Sequence, residues 1–230
     1  MAARREQSDR KTFQRILRLL EAAYGSRAWE CDGPPVDVLV GTILSQNTSR
    51  ANSSAGFERL KRRFRSWPAV ADAEVRQIER CIRVSGLGHT KAPRIRKILR
   101  QIRAADGRIS LAHLRAKKPA EACEYLMRFD GVGPKTALCV LLFAFGMPVF
   151  PVDTHIYRIG RRLGLLAPGV PFARAHEVLT PRIAPAHRYA LHVLLIAHGR
   201  ATCRARRPRC EECRLLALCP YGRQRMDATG

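Results

Sequence analysis

Residues 129–146 read FDGVGPKTALCVLLFAFG, and this stretch decides the fold. Leu126 and Phe129 close one predicted helix. Gly131 and Gly133 remove side-chain clashes at two positions, so the chain can turn sharply. Pro134 then suits the first turn of a second helix. A helix, a tight Gly-x-Gly turn and a helix leave unpaired amides at a helix N-terminus, which is a phosphate-sized anion site. The same turn can serve as a plain helix connector, so the reading needs support from the rest of the chain.

Lys135 follows in the first turn of a helix that is apolar all round and therefore central. The positive end of the helix dipole disfavours the charged amine there, and a poorly solvated cleft would act in the same direction. Both effects favour the neutral amine that a nucleophile requires; the competing reading is a surface lysine on a phosphate. Eighteen residues on, PVDTHIYR (151–158) places Asp153 just before another helix. An aspartate there commonly caps the helix, here through the amide of His155 or Ile156. The apolar approach Val149-Phe150-Pro151-Val152 would also carry its carboxylate into a poorly solvated place. His155 reads as a hydrogen-bonded support.

The remaining sequence is consistent with helices throughout. Ser8 or Asp9 is expected to cap a helix burying Phe13, Ile16, Leu17, Leu20 and Tyr24 and stopping at Gly25. Val36–Ser45, opened by Pro34-Pro35, and a helix capped by Thr48 or Ser49 come next. Ala73–Val84 and Pro93–Ala104 also carry helical spacing, the latter with Ile95, Ile98, Leu99 and Ile102 on one face. No alternating strand run or repeat is visible, and the chain is expected to fray from about Gly222.

Lys plus Arg is 42 and Asp plus Glu is 19, a formal net charge of +23 over 230 residues. That sign and size suit a polyanionic partner, since each phosphate contact releases a counterion. The charge does not flank an apolar span, and ALCVLLFAFGMPVF (137–150) is interrupted by Gly146 and Pro148, so neither a membrane partner nor a span is expected. No secretory leader is visible, which predicts a cytoplasmic location and reduced thiols. Cys31, Cys81, Cys123 and Cys139 are scattered and read as small hydrophobes. Cys203, Cys210, Cys213 and Cys219 form C-x6-C-x2-C-x5-C. Zinc sites normally use two C-x2-C pairs, and only the central pair has that spacing. The wider outer steps favour an iron–sulfur cube over zinc, with zinc left open.

LSQNTS (44–49), SGLGHTKA (85–92), GVGPKTA (131–137), PVDTHIYR and the cysteine loop occur in one order. In that order they resemble the endonuclease III branch of helix-hairpin-helix DNA glycosylases, over about residues 10–221. The resemblance implies an all-α, two-lobed fold with a DNA cleft: a six-helix barrel at 28–147, a cluster domain from 1–27 and 148–222, and a tail at 223–230. It implies a 4Fe–4S cluster on the four cysteines, Lys135 as nucleophile and Asp153 as catalytic carboxylate. Asn47 falls where a polar side chain fills the gap left by an extruded base, and Leu87 where an apolar wedge enters the stack. Gly131, Gly133 and Arg206 would meet DNA phosphates.

The activity so implied is a bifunctional glycosylase and abasic-site lyase acting on oxidised or ring-saturated pyrimidines. It would act as a monomer on damaged double-stranded DNA, in a bacterial or archaeal type of cell and near the nucleoid. The alternatives are a weakly active or monofunctional paralogue, or a non-catalytic cluster-containing DNA-binding protein. Three departures stand out: Asn47 in place of a usual Gln, Asp130 where a proline commonly precedes the hairpin, and a stretch between Leu87 and Lys135 longer than in the bacterial endonuclease III type.

Overall fold

The computed structural model describes residues 2–228, and among them it is helical without a strand. The helices are α1 (Ala2–Tyr24), α2 (Pro35–Leu44), α3 (Arg50–Arg63), α4 (Trp67–Asp72), α5 (Val75–Ile82) and α6 (Gly88–Asp106). There follow α7 (Pro119–Met127), α8 (Pro134–Phe145), α9 (Thr154–Arg162), α10 (Ala175–Leu179), α11 (Arg188–Ala201) and α12 (Pro220–Asp227). The all-α expectation holds. No helix among the described residues is long and apolar enough to cross a membrane. The chain divides into two compact units, Cys31–Met147 and Met1–Glu30 with Pro148–Gly230.

In the first of these units α8 is the centre. The consecutive residues Ala137, Leu138, Cys139 and Val140 face all round the helix and are all buried, and α8 packs along α2 and α7. A helix buried on all sides needs no polar stripe, which is why its sequence is apolar all round. Ser49 caps α3 by accepting from the Asn52 amide at 3.2 Å. Ser66 caps α4 in the same way through Ala69, giving a short helix that the apolar spacing did not reveal.

Helix α6 begins at Gly88, a turn before the expected Pro93. Leu87 takes a left-handed conformation, and its carbonyl accepts from the Thr90 and Lys91 amides, which starts the helix early. Pro93 lies near enough to that start to cost one ladder bond without breaking the helix.

The second unit assembles around Phe13, Ile16, Leu17 and Leu20 of α1, Ile156 and Ile159 of α9, and Leu191, Leu194 and Leu195 of α11. Helix α1 already runs from Ala2, so neither Ser8 nor Asp9 caps it. Asp9 instead takes a two-pronged ion pair from Arg182, at 2.7 and 2.8 Å. The segment expected to fray is helical to Asp227, since Cys219 caps α12 through its sulfur and Pro220 suits the first turn.

Candidate active site

Within the Cys31–Met147 unit the glycine turn joins α7 to α8 as expected. Gly131 has φ +79, a left-handed conformation that favours glycine. A Cβ there would stand 2.5 Å from Arg94 Nε, so Arg94 lies directly over the turn. At Gly133, the N-cap of α8, a Cβ would meet nothing within 4 Å. The amide end of α8 is thus open where a phosphate would approach.

We expect Gly131→Ala to destabilise the fold by about 1–2 kcal/mol, through left-handed strain and a displaced Arg94. Gly133→Ala is expected to leave the melting temperature within about 1 °C while weakening duplex binding about tenfold. Thermal melts and fluorescence anisotropy of both variants check this. Unchanged binding by Gly133→Ala would remove the turn from the DNA interface.

Lys135 is the second residue of α8 and is half-buried. Its amine takes no ion pair or hydrogen bond among the described residues, while Thr136 beside it is buried. Asp130, the departure before the hairpin, forms an ion pair with Lys97, and its amide donates to Gln101 Oε1 at 3.4 Å. Its charge is therefore balanced within the protein.

Asn47 is exposed with φ +54, and Leu87 is 46% exposed with φ +52. Gln46, which no residue type or spacing singles out in the sequence, is half-buried. Its amide donates to Thr136 Oγ1 and its oxygen accepts from Arg94, both at 3.4 Å. Gln46 and Arg94 thus tie the LSQNTS loop to the first turn of α8.

In the other unit α9 organises the site. Asp153 caps it, with Oδ1 accepting from the Ile156 amide at 2.8 Å. Its second oxygen takes no hydrogen bond among the described residues, so capping leaves half the carboxylate available. His155 bonds Arg158 at 3.0 Å and packs against Gly199, where a Cβ would stand 2.7 Å from its own, which makes it a support.

Arg158 donates to the carbonyl oxygens of Gly199 and Cys203. Arg162 donates to Cys203 Sγ at 3.2 Å and to the Arg204 and Ala205 carbonyls, and its guanidinium lies over the Tyr221 ring. One short helix therefore carries Asp153 at its start and grips the cysteine loop at its end. Arg206 stands exposed on that loop.

All four cysteines of the loop are free thiols lining one apolar cavity, with Ile159, Leu215 and His198 among the other walls. Among the described residues no set of His, Cys, Asp and Glu side chains is drawn together tightly enough to hold a metal ion. Burial, then the neighbouring thiols, pushes Cys213 up to about 11, and burial also raises Cys210 and Cys219. Bare thiols in this place are protonated, and it takes a metal centre's positive charge to bind them as thiolates.

His198 is neutral, lowered to about 4 by burial. Its Nε2 lies 3.7 Å from Cys213 Sγ, and its Nδ1 lies 3.0 Å from the Tyr24 hydroxyl. Arg162 donates to the sulfur of Cys203 and the Gly222 amide to that of Cys219, and the His198 ring nitrogen lies beside that of Cys213, as groups that support the ligands of a bound centre do.

The model of the HhH-GPD superfamily of base excision DNA repair proteins matches residues 40–176. An endonuclease III of Sulfolobus acidocaldarius is 34% identical over 185 residues, covering 80% of each chain. A putative DNA glycosylase of Arabidopsis thaliana is 38% identical over 165 residues, 72% of this chain and 56% of that one. The chain therefore spans little more than half the length of the plant relative. A solved structure of a trapped endonuclease III–DNA covalent intermediate has a TM-score of 0.79 and 27% identity, covering 94% of this chain and 98% of that one.

Proposed function

The chain belongs to the HhH-GPD superfamily of base excision DNA repair proteins, and from that premise we propose that it is a bifunctional glycosylase and abasic-site lyase. Its substrates on this reading are oxidised or ring-saturated pyrimidines in duplex DNA. The observation that carries it is Lys135: a half-buried amine without a partner, set one residue inside the open amide end of α8.

The target nucleotide leaves the stack, at a cost of about a few kcal/mol. Leu87, exposed at the start of α6, enters the vacated step and Asn47 occupies the gap, which offsets part of that cost. Gly131, Gly133 and Arg206 hold phosphates. Lys135 Nζ, as the neutral amine, attacks the sugar C1′ while the bond to the damaged base breaks and the base departs with the electron pair. The free oxygen of Asp153 accepts the ammonium proton beforehand or balances the positive charge that develops on the sugar. Opening of the sugar ring leaves a Schiff base, and loss of a C2′ proton then expels the 3′ phosphate oxygen by β-elimination.

Cys203, Cys210, Cys213 and Cys219 would hold a 4Fe–4S cluster. Support comes from four thiols lining one cavity, with Arg162 and the Gly222 amide donating to the sulfurs of Cys203 and Cys219. The cluster supplies a fixed core for the arginine-bearing loop. The formal charge of +23 supports DNA as the partner, on which the protein would work as a monomer.

The reading is tested with duplexes carrying thymine glycol, an abasic site or no damage. Base release and a nick 3′ to the lesion are expected on the first, a nick alone on the second and neither on the third. Nicking of the abasic duplex alone would make the protein a lyase whose base lies elsewhere, and inertness on all three would remove the function.

A further inference from the structure

Lys91 is 2% exposed, and a charged side chain reaches that depth only when it is well partnered. Its ammonium donates to the Leu44 carbonyl at 2.8 Å and to the Ser85 carbonyl at 2.9 Å. Leu44 is the last residue of α2, where carbonyls lack intrahelical partners and the helix dipole is negative. Ser85 ends the short turn Arg83–Ser85 that leads through Gly86 into Leu87. Both acceptors thus stand immediately ahead of the two exposed residues assigned to enter the DNA, Asn47 and Leu87.

Among the described residues Asn47 and Leu87 are two of three non-glycine residues with positive φ, the third being Arg207. Such conformations persist only where the surroundings over-determine them. On the Leu87 side the restraint is dense. Ser85 is fully buried, its hydroxyl donates to the Asn52 carbonyl at 3.2 Å, and it presses on Gly56, where a Cβ would stand 2.0 Å from Ser85 Oγ. On the Asn47 side Lys91 holds the Leu44 carbonyl at the root of the loop, while Gln46 ties its middle to Thr136 and Arg94. A hydrophobic side chain could fill the volume, but only a donor can satisfy two inward-facing carbonyls at once.

We infer that Lys91 is a positioning residue for base extrusion, its buried ammonium clamping the roots of the Asn47 and Leu87 loops in one fixed arrangement. This rests on the assignment of those two side chains to the DNA under the proposed function. A group that only positions the inserting side chains matters where a duplex must be opened. It is dispensable where the abasic sugar is already exposed.

The test follows borohydride trapping by wild type and Lys91→Met on a duplex with an abasic site and on the same abasic strand alone. Lys91→Met is expected to slow trapping on the duplex about 100-fold and on the single strand by less than about threefold. Equal losses on the two, or no loss on the duplex, would overturn the inference. Wild type that forms no adduct on either DNA would instead overturn the proposed function.

Should Lys91→Met not fold, Lys91→Gln, which keeps a donor for one carbonyl, is measured alone and in an Asn47→Ala/Leu87→Ala background. The substitution is expected to cost the double variant under about twofold on duplex, because the groups it positions are gone. A full multiplicative penalty there would show a structural role and overturn the inference.

Discussion

Replacing Lys135 by alanine abolishes both the borohydride adduct and the nick, by a factor of about 1000 or more, while duplex affinity stays within about threefold. The fold gives reason to trust the variant. Lys135 points from the first turn of α8 without an ion pair, the turn is held by Gly133 and Pro134, and alanine is the better helix former. What disappears is the amine that becomes covalently bound to the sugar. Under the proposed function binding would draw on the hairpin amides, Leu87 and the arginines, all of which the variant keeps. Nicking retained by Lys135→Ala would transfer the chemistry to another group and leave the hairpin as a binding element only.

The second large effect concerns the cysteine loop. Cys213→Ala is expected to lose the visible iron–sulfur absorbance and to lower the melting temperature of the unit holding it by about 10 °C or more, since a bound centre's affinity is folding free energy. The loss should travel. Arg158 and Arg162 bind the loop from α9 through the Cys203, Arg204 and Ala205 carbonyls, and Asp153 caps that same helix. Amides of α9 are therefore expected to exchange faster in the variant, and adduct formation to fall with them. A colourless wild-type protein containing zinc, or a variant with unchanged α9 protection, would contradict this account.

Much of this architecture is legible in the sequence because it depends on short-range rules. Pro34-Pro35 before an apolar run, Ser49 as a cap and the Gly-x-Gly turn before Pro134 all act within a few residues, and each appears where it was expected. The early start of α6 was hidden because it depends on Leu87 taking a left-handed conformation, which leucine does not advertise. Helix α1 was read as starting at a cap, yet Asp9 serves a distant partner, Arg182, that no local pattern points to.

The site divides along the same line. Lys135, Asp153 and the cysteines stand out by residue type and spacing. Gln46 and Arg94 do not, because their role arises only when α6 and the LSQNTS loop meet the start of α8. In sequence Lys91 is one basic residue among 42, and only its burial and its two carbonyl acceptors distinguish it. Asp153 shows that a cap and a candidate catalytic carboxylate need not exclude each other, since the two oxygens are separable.

Under the proposed function the Lys135 amine becomes covalently joined to the sugar of an extruded, damaged pyrimidine nucleotide. The most direct measurement reduces the reaction on a thymine glycol duplex with borohydride, digests the adduct and locates the sugar remnant by mass spectrometry. The remnant is expected on the peptide that contains GPKTA, at Lys135. A remnant on any other lysine or on the N-terminal amine, with Lys135 unmodified, would contradict the account.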